Sequence, residues 1–113
     1  MNVKIDDREA IYSSLDSDPD LGEIVAMFVA EMPGRVKGFT TLARAGNWAQ
    51  LQTAAHQLKG AAGSYGFAPI TPLAKRLEMA IREEAPEGKI HEALNALVTV
   101  CRRVRYGRPE VVQ

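Results

Sequence analysis

A histidine whose helical neighbours are small, polar or basic is placed to act as an exposed nucleophile, and the stretch from Gln52 to Gly63 holds one. Three and four residues from His56 lie Gln52, Thr53, Lys59 and Gly60, with Gly63 about two turns on; on an α-helix such positions share a face. A neutral imidazole, with an unperturbed pKa of about 6.5, attacks an acyl phosphate without a further base to activate it. Phosphoryl transfer depends mainly on positioning and charge stabilisation, and Lys59 offers positive charge near the phosphoryl oxygens. Glycine within a helix costs about 1 kcal/mol relative to alanine, yet Gly60 stands one turn from the imidazole, where it would let another protein's backbone come close. Spacing by itself leaves the plainer reading open, in which His56 is a surface histidine without a role and Gly60 a tolerated accident.

The element that must carry this face begins at Asn47, a cap residue, and ends at Gly63-Ser64-Tyr65-Gly66, where glycine accepts a left-handed backbone. Trp48, Leu51, Ala55, Leu58 and Ala62 form its apolar stripe, and at about 100° per residue His56 falls well away from the stripe's centre and toward solvent. Upstream, Leu21, Ile24, Val25, Phe28, Met32, Val36, Phe39, Leu42 and Ala43 recur at spacings of three and four. Asp18, Pro19, Asp20 and Glu23 mark the start of that helix, and Pro33-Gly34 should kink it. A third helix begins between Ala68 and Pro72 and runs on Leu73, Leu77, Ala80 and Ile81 until Pro86 and Gly88. The last carries Ile90, Leu94, Leu97, Cys101 and Val104. No strand-like alternation appears, so the expected fold is all-α: an antiparallel four-helix bundle with a short N-terminal helical segment bearing Ile11, Tyr12 and Leu15 across one end.

Length and composition limit the alternatives. The 113 residues make one domain, 1–113, with the bundle over about 18–105 and a flexible tail at 106–113; Met1 and the full set of helices point to a free-standing protein. With 46% hydrophobic and 25% charged residues, the chain has the composition of an ordinary globular protein. No apolar run spans a membrane and the N-terminus does not resemble a signal peptide, so a cytoplasmic protein is expected. A single cysteine, Cys101, excludes an internal disulfide and a cysteine-based zinc cluster. His91 has no partner at metal-ligand spacing, and a solvent-exposed structural role is expected for it. Lys and Arg number 14 and Asp and Glu 14, so the net charge of zero gives no electrostatic basis for nucleic-acid binding. The C-terminal cluster Arg102, Arg103, Arg105 and Arg108 is better read as cations at a helix C-terminus. Between Met32 and Leu77 there is no acid, while Arg35, Lys37, Arg44, Lys59, Lys75 and Arg76 all fall there; such a segment could steer an acidic partner.

The run His56-Gln57-Leu58-Lys59-Gly60-Ala61-Ala62-Gly63-Ser64-Tyr65-Gly66, followed by Leu77-Glu78, resembles the signature of histidine-containing phosphotransfer (HPt) domains. The likeness extends from about Ile11 to Val104, including Phe28-Val29 to Pro33 and Gly46-Asn47-Trp48. It implies a four-helix bundle in a two-component phosphorelay, whose exposed His56 takes phosphate on Nε2 from a receiver-domain aspartate and returns it to another. It also implies contact of Lys59 with the phosphoryl group, room for the receiver at Gly60 and Gly63 with Gln52 nearby, and Glu78 bonded to the other imidazole nitrogen. The protein would be a phosphocarrier without kinase activity of its own. Its partners would be response-regulator receiver domains and a hybrid histidine kinase, with no nucleic acid or membrane. It would bind no metal or cofactor, the divalent metal being held by the receiver, and it would be a monomer so that the histidine stays accessible. The competing expectation is a bundle that binds receivers or other signalling partners without being phosphorylated.

Overall fold

Residues 10–15, 18 and 20–107 are described in the computed structural model. Four helices follow one another, α1 (Gly22–Arg44), α2 (Trp48–Ser64), α3 (Ile70–Arg82) and α4 (Glu87–Cys101), joined by short loops into an all-α bundle. Each turns one apolar stripe inward. Val25, Phe28, Met32, Val36, Phe39 and Ala43 are buried from α1, and Leu51, Ala55, Leu58 and Ala62 from α2. Ile70, Ala74, Leu77 and Ile81 meet them from α3, and Ile90, Leu94, Leu97 and Cys101 from α4. The α1 stripe is narrower than its sequence pattern, since Ile24 is exposed and Leu42 only partly buried. Burial pushes the Cys101 thiol up to about 12, against the opposing charge of Arg35. None of the helices among the described residues is long and apolar enough to cross a membrane.

Local chemistry sets the ends. Asn47 caps α2, its side-chain oxygen accepting from the Gln50 amide at 3.3 Å. The start of α1 is Gly22, after a cap position, Leu21, that makes no side-chain bond. Asp18 instead shapes the preceding turn: its carboxylate accepts from the Asp20 amide at 2.9 Å and its carbonyl from those of Leu21 and Gly22 at 3.1 Å. Pro19 lies outside the described residues. Pro33 sits within α1, which continues past it as one helix. A proline there removes one amide donor, but the apolar stripe stays in phase on both sides, and the burial of Met32 and Val36 anchors both halves. Pro86 immediately precedes α4, whereas Gly88, expected to help end α3, is inside the first turn of α4.

The N-terminal segment differs from expectation. Over 10–15 it is extended or turned rather than helical: Ile11 forms a parallel bridge with Val104, its amide donating to Arg103 at 2.7 Å and its carbonyl accepting from Arg105 at 2.8 Å. Unpaired backbone groups just past α4 offer Ile11 hydrogen-bond partners. Ile11 and Leu15 still pack against the core. At the same end, the Ser14 amide donates to the Gly66 carbonyl at 2.9 Å and the Ser13 hydroxyl to that of Tyr65. Gly66 has φ +81°, and a Cβ there would lie 2.6 Å from the Ser13 hydroxyl, so backbone angle and crowding both require glycine. Phe67 follows, fully buried and stacked on Phe28 with ring centres 5.2 Å apart. Of the expected tail, Tyr106 is exposed, and 108–113 lie outside the described residues.

Candidate functional site

The stripe of α2 that faces the core leaves His56 on the opposite side, and its side chain is 63% exposed. One ring nitrogen is nonetheless engaged. His56 Nδ1 lies 2.8 Å from Oε2 of Glu78, which reaches across from α3. Glu78 is one of the few buried polar residues, its side chain 3% exposed, and it sits beside Leu77 on the inward half of α3. An ionised carboxylate can only accept, so Nδ1 carries the proton and donates, and the lone pair belongs to Nε2 on the far, open side of the ring.

Two cations bind the same carboxylate. Lys59, one turn from His56 on α2, donates through Nζ to Oε1 at 2.8 Å. Arg82, one turn beyond Glu78 on α3, donates through Nη2 to Oε2 at 2.9 Å, on the oxygen that also receives His56. A buried carboxylate without partners would cost several kcal/mol; here both oxygens are bonded. The hydrogen bond from Lys59, opposed by desolvation and aided by His56, holds Glu78 below the ordinary carboxylate range. With the imidazole neutral, two cations face one carboxylate, so the corner keeps a net positive charge beside an open nitrogen nucleophile. That combination suits an incoming phosphoryl group.

Of the residues singled out from the sequence, His56, Lys59 and Glu78 are bonded into one cluster. Gly60 is exposed one turn from His56, and a Cβ built on it would meet nothing within 4 Å, so nothing in the chain itself calls for glycine there. Gly63 is also exposed, and its Cβ would make only an ordinary contact, 3.9 Å from the Thr71 hydroxyl. Gln52 is half-buried one turn before His56 and makes no bond to the cluster among the described residues. Lys59 is committed to Glu78 rather than free. Arg82 was not singled out; its spacing of four from Glu78 on a helix was the available signal. Glu78 is also the acid that ends the acid-free segment. Elsewhere, exposed His91 lies edge-on to Trp48, ring centres 5.9 Å apart. The Arg105 guanidinium donates to the Arg102 and Val104 carbonyls at 2.8 Å, beyond the end of α4.

A family model for the Hpt domain matches residues 23–105, which include the four residues of this cluster. No curated protein and no solved structure matches the chain.

Proposed function

The chain belongs to the Hpt domain family, phosphocarriers of two-component signalling, and we propose that it relays a phosphoryl group on His56 between aspartates of response-regulator receiver domains. The observation that carries this reading is the division of labour on the imidazole: Nδ1 is bonded to a buried carboxylate while Nε2 is left on the open side. In the transfer, the Nε2 lone pair attacks the phosphorus of the aspartyl phosphate, the N–P bond forms, and the P–O bond breaks to release the aspartate carboxylate. The Nδ1 proton stays in place, and the positive charge that develops on the ring faces Glu78. Lys59 reaches the phosphoryl oxygens by exchanging its bond to Glu78 for one to the incoming group. Gly60 and Gly63 leave α2 low enough for the receiver to approach, and Gln52 lies at the other end of that face as a partner contact. The divalent metal such a step uses comes with the receiver's acidic pocket. The carrier acts as a monomer without kinase activity, receiving phosphate from receivers, including that of a hybrid histidine kinase.

The test is transfer of labelled phosphate from a panel of phosphorylated receiver domains to the purified chain, with His56→Gln in parallel and acid lability identifying a phosphoramidate. Label on the wild type and none on the variant is the expected result. A wild type that stays unlabelled yet binds a receiver replaces this reading with that of a binding module.

A further inference from the structure

Glu78 poses a problem for the nucleophile it holds. A carboxylate 2.8 Å from Nδ1 orients the ring and sets its tautomer, but an opposite charge so close also favours the imidazolium. An imidazolium has protons on both nitrogens and no lone pair at Nε2. The contact that aims the nucleophile must therefore leave Nε2 unprotonated if the ring is to attack.

The geometry points to Arg82 as the residue that separates these two effects. We propose that Arg82, together with Lys59, offsets the charge of Glu78, so that the carboxylate holds the Nδ1–H tautomer without drawing a second proton onto Nε2. Arg82 binds the oxygen that receives Nδ1, at 2.9 Å, and so acts on the imidazole through Oε2. Lys59 binds the other oxygen and belongs to α2, where a phosphoryl group would draw it away. Arg82 comes from α3, with its side chain 56% exposed, and makes its second contact to the Met79 sulfur at 3.6 Å. Its bond to Glu78 lies within one helix, four residues apart, and uses a different oxygen from that of Lys59. The charged groups around the imidazole are Lys59 from α2 and Glu78 and Arg82 from α3; among the described residues, α1 and α4 bond no charged group to the imidazole or to Glu78. Arg82 is thus a positioning residue, acting on His56 only through the carboxylate. The inference rests on the phosphocarrier reading for its purpose, but its physical content can be measured without phosphate.

The experiment is a nitrogen-resolved NMR titration of His56 in the intact chain, in wild type and in the Arg82→Gln, Arg82→Lys, Glu78→Gln and Glu78→Gln/Arg82→Gln variants. In Arg82→Gln the protonated imidazole should persist to higher pH, the midpoint rising by roughly half a unit at low salt and by less at high salt. Arg82→Lys should stay near wild type. In the Glu78→Gln background, Arg82→Gln should not raise the midpoint. A midpoint unchanged in Arg82→Gln overturns the proposal, as does a rise that persists without Glu78. A second arm measures phosphate uptake from a receiver at a pH below the wild-type midpoint, where the rate should fall by up to about threefold in Arg82→Gln and recover as pH is raised. If the wild type itself takes up no phosphate, the carrier reading fails, while the titration still decides whether Arg82 offsets Glu78.

Discussion

Gly60 and Gly66 stand on neighbouring turns of one stretch, yet the molecule treats them oppositely. Around Gly66 the chain is crowded: the backbone is left-handed, a Cβ would collide with Ser13 and Ser14, and the N-terminal segment hydrogen-bonds to the carbonyls of Tyr65 and Gly66. Around Gly60 there is open space within a regular helix. One glycine is explained by the fold. The other weakens a helix for no internal return, and it does so one turn from an exposed imidazole held by a buried carboxylate. Gly34 and Gly38 within α1 stand in equally open space, so what sets Gly60 apart is the imidazole one turn away.

That contrast can be broken at several points. The largest effect is expected from His56→Gln, which should abolish phosphate uptake at a cost of only about 1 kcal/mol in stability, because Lys59 and Arg82 still bond both oxygens of Glu78; transfer assays and urea melts on one preparation separate the two. Next comes Gly66→Ala. Strain at positive φ and the clash with Ser13 should cost about 2 kcal/mol in a denaturant melt and leave the transfer rate of the folded protein unchanged. A fall in rate with stability intact would mean that the loop belongs to the receiver interface.

Gly60→Gln should behave in the reverse sense. A side chain at this open helical position should raise stability by up to about 1 kcal/mol and slow transfer from a receiver about tenfold by keeping the two proteins apart. An unchanged rate would remove the external explanation for this glycine. The smallest effect is in acid. Glu78 has a folded pKa below its unfolded value of about 4.5, so the stability it contributes is fully present above that value and is lost as pH falls through the folded one. Urea melts from pH 3 to 7 should show wild type losing more stability than Glu78→Gln below about pH 4.5. Parallel curves through the acid range would contradict the role of the Lys59 bond.

Much of the scaffold was legible because it is written in local periodicity. The outward direction of His56, the Asn47 cap, the left-handed Gly66 and the start of α3 each follow from a few consecutive residues and the backbone chemistry they allow. Phe67 was harder, since it lies between helices where no period applies, yet it is fully buried. The N-terminal segment was misjudged for a related reason: its partners, Arg103 and Arg105, are at the far end of the chain, and backbone pairing over that distance leaves no local trace.

The site divides in the same way. Sequence by itself determined that an exposed histidine, a lysine one turn later and a glycine share one helical face, because a 3.6-residue period fixes which side chains neighbour each other on one helix. Only the tertiary structure decided that Glu78 is buried against that face, that Lys59 is spent on it, and that Arg82 shares its oxygen with the imidazole. Those contacts depend on how α2 and α3 are rotated and set against each other. That arrangement is settled by the packing of the whole core, which no single helix contains.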